Sequence, residues 1–597
     1  MKRRFALLLA VITIQQSVVF AQTNPLIKYL PDNASMVMNF NAIKLAGNIP
    51  GESFRQSSVY REIMKDTKMP FNALLMNPEK SGIDFTAGVF LVMTNDATEE
   101  KPGPGATIFI KLRDAELFTA NIKDLFKENS DSIIKKYGTD RIMQHEKGLT
   151  LGWNNDLLVI IPGYSKKEKE EQQQVYLTDS TSDIKDYDKL MNITIDKIQR
   201  SQRNLCFDLL TPKPQNVLST NSHFISLMNT VADIKTWNNG MPNPLLGNKL
   251  SSILGTGLNK LQGFAGKSKT SIVNFENGKI VLQSSNYPND EVAAIYKKYP
   301  KTTLNTDLTR RLPKGKILGL INTTYNPQMG MELMQKSGIK EMLEEFKKPM
   351  PFDFNLIAAA FGSNMLLAVI KSDEAAPVDS LTKSMDGIKL ILALPIASKV
   401  KFDELKATVK QLIDSMQQGE NGPKMMKGMK PAIKYNDSLF VLSLSPDVAA
   451  DFINNTGTEP VPEWLQSKSQ YPMLMNFNMK EIIKMALGKK LSAKNGKEEE
   501  ILMNMFDEMI VYGGNYENES LNTTMEFQFT NKTDNALKQL FDMISLVAGK
   551  NERVINEANE GAKVDSIKLE KVEVVKEDNV APPPPKKVTV KPKANGQ

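Results

Sequence analysis

Short apolar runs bounded by Pro, Gly, Asn and Asp recur along the chain in one order, and such runs predict strands. From Leu30 the turn Pro31-Asp32-Asn33 feeds the apolar run Met36 to Phe40, and a segment able to turn helical follows to Gly47. Glu52 to Lys65 has the spacing of a short helix, and Gly82-Ile83-Asp84-Phe85 opens a strand to Met93. The Pro/Gly turn Lys101 to Gly105 leads to the strand Ala106 to Ile110. A helix follows with Leu117, Phe118, Ile122, Leu125 and Phe126 on one face. Leu149 to Ile161 reads as a hairpin turning at Asn154-Asn155-Asp156.

The succession returns from Arg311. Pro313 answers Pro31, and Phe352-Asp353-Phe354 answers Ile83-Asp84-Phe85. Leu390 to Leu394, followed by Phe402, Leu405, Val409, Leu412 and Ile413, answers the strand and helix after Ala106. Asn436-Asp437 before Leu439 answers Asn155-Asp156 before Leu157. Later, Ser271 to Ser284 turns at Glu276-Asn277-Gly278 ahead of a helix with Val292 and Ile295. Ile510 to Phe529 turns at Glu517-Asn518-Glu519 ahead of one with Leu537, Leu540 and Phe541. The expected fold is α+β: two tandem related halves, each a mostly antiparallel, partly mixed sheet with helices packed on one face. The first half spans 22–300 and the second 301–550. Met473 to Asn478 repeats the letters of Met36 to Asn41 outside the register that aligns the halves. Phe354 to Ile370, largely apolar but interrupted by Gly362-Ser363-Asn364, is expected to be a strand hairpin.

The ends differ from this body. Lys2, Arg3 and Arg4, the apolar Phe5 to Ile14 and the small-residue site Val19-Phe20-Ala21 predict a signal peptide, 1–21, cleaved after Ala21. Export to the periplasm, outer membrane or cell surface is the expectation. From 551 to 597 the periodicity fades into a Pro/Lys-rich segment expected to be disordered, with Lys586, Lys587, Lys591 and Lys593. The charged run Lys166 to Gln174 reads as a link or solvated helix.

Charge and chemistry narrow the function. Of the net +7, three charges lie in the leader and four in the last segment, on Lys586, Lys587, Lys591 and Lys593, so the remainder is neutral and nucleic acid is not an expected partner. Cys206 is the one cysteine, in the apolar string Leu205-Cys206-Phe207, and reads as a small buried side chain. His145 and His223 sit in unrelated contexts, and no HExxH or EF-hand spacing occurs. Gly263 to Ser268 lacks the first glycine of a phosphate loop, because position 261 is leucine. The paired Asp84 and Asp353 read as turn residues before strands. No catalytic residue, cofactor or metal is therefore expected. Lys424 to Lys430, with Met425, Met426 and Met429, reads as a loop able to meet a partner or an anionic membrane, and the basic tail could join it.

The Leu-Pro-Asp turn with Met36-Val37-Met38-Asn39-Phe40-Asn41, the later Gly82-Ile83-Asp84-Phe85 and the Asn-Asp hairpin resemble uncharacterised exported Bacteroidetes proteins grouped as a domain of unknown function. The resemblance covers most of Pro25 to Val547. It implies export and architecture, and it brings no catalytic residues; the cysteine that carries a lipid anchor in many relatives has no counterpart after this leader. Asp-Ser steps at Asp131, Asp379, Asp437 and Asp565 resemble the O-glycosylation acceptor of such proteins. The expected function is non-enzymatic: an envelope binding or scaffold protein offering its sheet faces, or a cleft between its halves, to a protein or glycan partner. An envelope hydrolase working through gathered carboxylates and a peripheral membrane protein are the alternatives.

Overall fold

The computed structural model describes residues 24–49, 78–94, 105–126, 134–144, 149–162, 200–239, 266–337, 354–371, 387–406, 432–455, 460–487 and 504–545. The leader, 52–65, His145, Lys166 to Gln174, Asp353, Met425, Met426, Met429 and the tail lysines Lys586, Lys587, Lys591 and Lys593 lie outside these residues. The protein is α+β, built on a large antiparallel sheet.

In the first part of the chain the strands are β1 Ala34–Phe40, β2 Ile83–Thr94, β3 Gly105–Leu112, β4 Ile134–Tyr137, β5 Asp140–Gln144, β6 Thr150–Trp153, β7 Leu157–Ile161, β8 Ile234–Asn238, β9 Ser268–Glu276 and β10 Lys279–Tyr287. The second part supplies β11 Lys316–Thr324, β12 Asn364–Lys371, β13 Ile388–Pro395, β14 Ala432–Tyr435, β15 Leu439–Ser443, β16 Met473–Asn478, β17 Phe506–Glu517 and β18 Ser520–Phe529. The helices used below are α1 Ala42–Gly47, α2 Ala115–Phe126, α3 at 200–210, α4 Ser222–Asn229, α5 Asp290–Lys298, α6 Pro327–Ser337, α7 Phe354–Ala360, α8 at 399–406, α9 Pro446–Asn454, α10 Met479–Leu487 and α11 at 536–545.

Following the register from pair to pair gives one unbroken spatial order. It runs β4-β5-β6-β7-β3-β2-β1-β8-β9-β10, then β18-β17-β16-β11-β12-β13-β15-β14. Every pairing among the described strands is antiparallel, so the expected mixed component is absent there. Read inward from either end, apart from the β4-β5 hairpin, the order follows the same succession of elements. The two series meet where β10 pairs β18, with Gln283 opposite Thr524 at the middle of the seam. In place of two sheets facing across a cleft, the chain builds one sheet.

Helices lie on both faces, which corrects the one-face expectation. Val37, Phe90, Val92, Phe109, Val159 and Trp237 point to a core closed by α3 and α4. The opposite side of the same strands, through Ile110, Leu151, Trp153 and Leu158, packs on Phe118 and Ile122 of α2. In the second series Leu320, Leu366, Ile391 and Val441 pack under α9, while Phe440 and Phe361 meet Phe402 and Leu405 of α8 on the other side. The physical reason is in the strands: β7, LLVII, is buried at every position, so both faces need a cover.

Two further expectations change. Phe354 to Ile370 is helix α7 followed by β12, not a hairpin. The run Ala358-Ala359-Ala360 favours helix, and Gly362-Ser363 ends it where the turn was expected. Consequently Phe352-Asp353-Phe354 is no counterpart of Ile83-Asp84-Phe85: the latter opens β2, and the strand in the corresponding place, β12, begins at Asn364. The hairpin turns do correspond, one residue away from the expected alignment. Asn154 Oδ1 accepts from the amides of Asp156 and Leu157, both at 3.0 Å, and Asn436 Oδ1 accepts from those of Ser438 at 2.9 Å and Leu439 at 2.8 Å. Each is an Asx turn, in which a side-chain oxygen replaces a backbone acceptor.

Candidate binding face

On the face closed by α3, α4 and α9 the core is interrupted at the seam, where Gln283 is exposed, while the other face carries half-buried apolar side chains across the middle strands. One row of cross-strand neighbours runs Phe40, Ile234, Val273, Leu282, Met525, Val511, Met475, Ile321, Leu367, one side chain from each of nine adjacent strands. Every member is apolar, and all except the buried Val511 are only half-buried. A parallel row runs Phe275, Ile280, Phe527, Met509, Phe477, Gly319, Val369. All seven are half-buried. At ~4.8 Å between strands, the nine-strand row is roughly 38 Å long. A soluble antiparallel sheet with one open face ordinarily alternates apolar and polar side chains. Here two successive rows of one face are apolar, giving a long band of methionine, phenylalanine and aliphatic side chains.

The band has a charged end. Helix α10 lies against β16, β17 and β11, and its first turn carries Glu481. Lys316 and Lys371 stand directly opposite each other on β11 and β12, an arrangement of like charges that is unfavourable by itself. Glu481 sits between them, 2.8 Å from Lys316 Nζ and 3.5 Å from Lys371 Nζ, with Lys484 Nζ at 4.0 Å. The hydrogen bond from Lys316 is the largest influence on this carboxyl; with the other lysines it outweighs partial burial and holds Glu481 below the ordinary glutamate range. Three ammonium groups share one carboxylate, leaving an excess of two positive charges.

On the covered face near the seam, Tyr512 donates to Glu526 Oε1 at 2.8 Å, with Lys279 and Lys468 each 3.5 Å from the same carboxylate. Burial alone would raise Glu526, but Tyr512 and the two lysines prevail and keep it low; burial and then the Glu526 contact raise the Tyr512 phenol. Such a closed set of partners fixes structure and holds no proton ready for transfer at neutral pH.

A cleft of about 360 Å³ opens beside the first turn, between Pro31, Asp32, Thr94, Thr107, Asp208 and Lys213. Its charges are already engaged: Lys213 Nζ is 2.7 Å from Asp208, and Asp32 Oδ1 accepts from the Val217 amide at 2.7 Å. Asn216 Nδ2 donates to the carbonyls of Ile27 and Leu30, fixing the turn from below.

The residues singled out from the sequence are dispersed. Asp84 accepts from Lys111 Nζ at 2.7 Å and from the Thr86 amide at 2.8 Å; burial opposes ionisation there, but these bonds win and lower its pKa. His223 bonds Ser268 at 3.1 Å and stacks on Tyr287, and burial lowers its pKa. Cys206 is buried against Gly152, and burial pushes the thiol up to about 12. Among the described residues there is no group of three or more His, Cys, Asp or Glu able to hold a metal, and no helix long and apolar enough to cross a membrane. The band was missed because periodicity identifies an apolar strand without saying what covers it; the available signal was the apolar residues at every second position in MLMNF, EMIVY and NMLLAVI. Compared with protein-family models, curated proteins and solved structures, the chain matches none.

Proposed function

We propose that this is a non-enzymatic, exported envelope binding or scaffold protein, and that its binding surface is the apolar band across the middle of the sheet. The observation that carries this reading is the row from Phe40 to Leu367, apolar at every position and half-buried at all but one. Export rests on the leader, and the kinship with exported Bacteroidetes proteins rests on the turn and strand motifs. The two halves, 22–300 and 301–550, are proposed to be a tandem duplication. That reading is supported by the matching strand order on either side of the seam and by the matching Asx turns at Asn154 and Asn436.

The test is a photo-crosslinking residue placed at Leu282, in the band, or at Gln283, its neighbour on the opposite face. In native envelopes Leu282 should give adducts and Gln283 should not. Equal labelling from both positions, or none from Leu282, would overturn the reading.

A further inference from the structure

We infer that the cleft beside the first turn binds one ring of a neutral sugar, held by Asp32 and Asp208 and by the hydroxyls of Thr94, Thr107 and Ser201. This goes beyond the binding reading above and does not rest on it. Thr94 and Thr107 share the face of Val92 and Phe109, opposite the apolar band, so the two sites are separate.

Three parts of the fold converge on the cleft. Thr94 closes β2, and Thr107 lies beside it on β3, opposite Val92. Ser201, Leu205 and Asp208 come from α3 at steps of four and three residues, which set them on one side of the helix. The turn supplies Pro31 and Asp32. Its place is fixed by the bond from the Val217 amide to Asp32 and by those from Asn216 to the Ile27 and Leu30 carbonyls, so this wall is set before any ligand arrives.

The groups left unused select the ligand. Thr107 is only 7% exposed and lines the cleft, yet its hydroxyl has no protein partner among the described residues; those of Thr94 and Ser201 have none there either. A polar group this buried is ordinarily hydrogen-bonded. Lys213 occupies Asp208 Oδ2 and the Val217 amide occupies Asp32 Oδ1, which leaves Asp208 Oδ1 and Asp32 Oδ2 as acceptors without a partner among the described residues. Two carboxylates against one ammonium give the cleft one negative charge in excess, which turns anions away. Carboxylates only accept and hydroxyls both donate and accept, so the matching ligand presents several O–H groups. Pro31, Leu205 and Leu209 are the apolar part of the lining, a surface for the C–H side of a sugar ring. An amine would answer the carboxylates and leave the three hydroxyls idle. At about 360 Å³ the cleft lies near the lower end of the ~300–1,000 Å³ range of ligand sites, the size for one ring rather than a chain.

The fold does not itself require these groups. In the second series Lys314 follows Pro313 as Asp32 follows Pro31, and Lys389 stands opposite Ile370 as Thr107 stands opposite Val92. The same succession is built there with lysines in place of the acceptor and the hydroxyl.

The experiment is saturation-transfer NMR on the intact mature protein with D-glucose, D-galactose, D-mannose and N-acetylglucosamine, each titrated alone and then in the presence of inorganic phosphate or spermidine. At least one sugar should give a saturable signal that neither competitor removes at equal concentration. Asp208→Ala should weaken its binding at least about tenfold and Thr107→Val about threefold to tenfold, while Gln283→Ala, on the same face but outside the cleft, should leave it unchanged. Circular dichroism identifies a variant that fails to fold, and Ser201→Ala then takes its place, with the weakening expected of Thr107→Val. The inference is overturned if none of the four sugars saturates, if phosphate or spermidine displaces the sugar, or if the cleft substitutions weaken binding no more than Gln283→Ala does. Crosslinking at Leu282 is read separately, so loss of sugar binding leaves the reading of the band intact, and an absent crosslink leaves the sugar site intact.

Discussion

Asn478 closes β16 and opens α10 with a single side chain: its Oδ1 accepts from the Glu481 amide at 3.0 Å. Asn41 does the same between β1 and α1, accepting from Lys44 N at 3.1 Å, and Asn326 precedes α6 with a bond from Met329 N at 3.1 Å. The repeated letters MNFN thus have a physical content, a strand ending in a helix N-cap. Asn478→Ala should cost about 1 kcal/mol, while Asn478→Asp keeps most of it, as read from urea midpoints. Glu481 makes a pH-dependent contribution. Its folded pKa lies below the ordinary 4.5, so its stabilisation is present above that value and fades as pH falls through the folded one. The gap in stability between the wild type and Glu481→Gln should therefore be largest near neutral pH and shrink as pH falls below the ordinary glutamate range. Cys206 should resist thiol reagents at about pH 8 until the chain unfolds, because its thiol is buried and poorly ionised. A Cβ at Gly152 would stand 2.0 Å from Cys206 Sγ, so Gly152→Ala should destabilise by about 1–3 kcal/mol. Cys206→Ala should relieve part of that loss, and the double-mutant cycle measures the coupling.

At the scale of elements, the turns and most strands were legible, because Pro31, the Asn154 turn and the Glu276 to Gly278 turn act through local chemistry. Helix α7 was not, since Phe354 to Ala360 is apolar apart from Asn355 and periodicity cannot separate a short apolar helix from a buried strand. Nor could the sequence assign faces: β12 and β13 read as buried strands, and which helix covers each side is decided by distant residues. The outermost strands among those described, β4 and β14, are each four residues long, with Lys135 and Lys136 in one and Lys434 in the other. Lysines on a short edge discourage pairing with a second chain. Lys135→Val with Lys136→Ile should raise the rate of aggregation, followed by static light scattering, at little cost to the unfolding midpoint.

For the whole molecule, the seam couples regions far apart in sequence. Gly278, at the β9-β10 turn, donates its amide to the Asp534 carbonyl at 2.9 Å and accepts from the Phe529 amide at 2.8 Å; a Cβ there would meet Lys532 Cα at 2.5 Å. Asn535 Nδ2 donates to the Phe275 carbonyl at 2.6 Å. Trp153 and Trp237 lie in the first series of strands and Trp464 beside the core of the second, so one fluorophore type reports on both. The wild type and Trp464→Phe should melt at the same midpoint in a single transition. Two separated transitions would show that the seam does not couple them.

The pairing of β10 with β18 also limits how such a chain can grow. Each strand of the pair presents its edge to the other in the same orientation, as in an isologous dimer, and each already has its hairpin partner on the far side. Isologous contacts close at two, whereas head-to-tail contacts can be extended. A further strand arriving at the seam would find both edges of each strand of the pair occupied. A wider sheet would therefore have to recruit the outer edges at β4 and β14, because no further strand can enter at the seam.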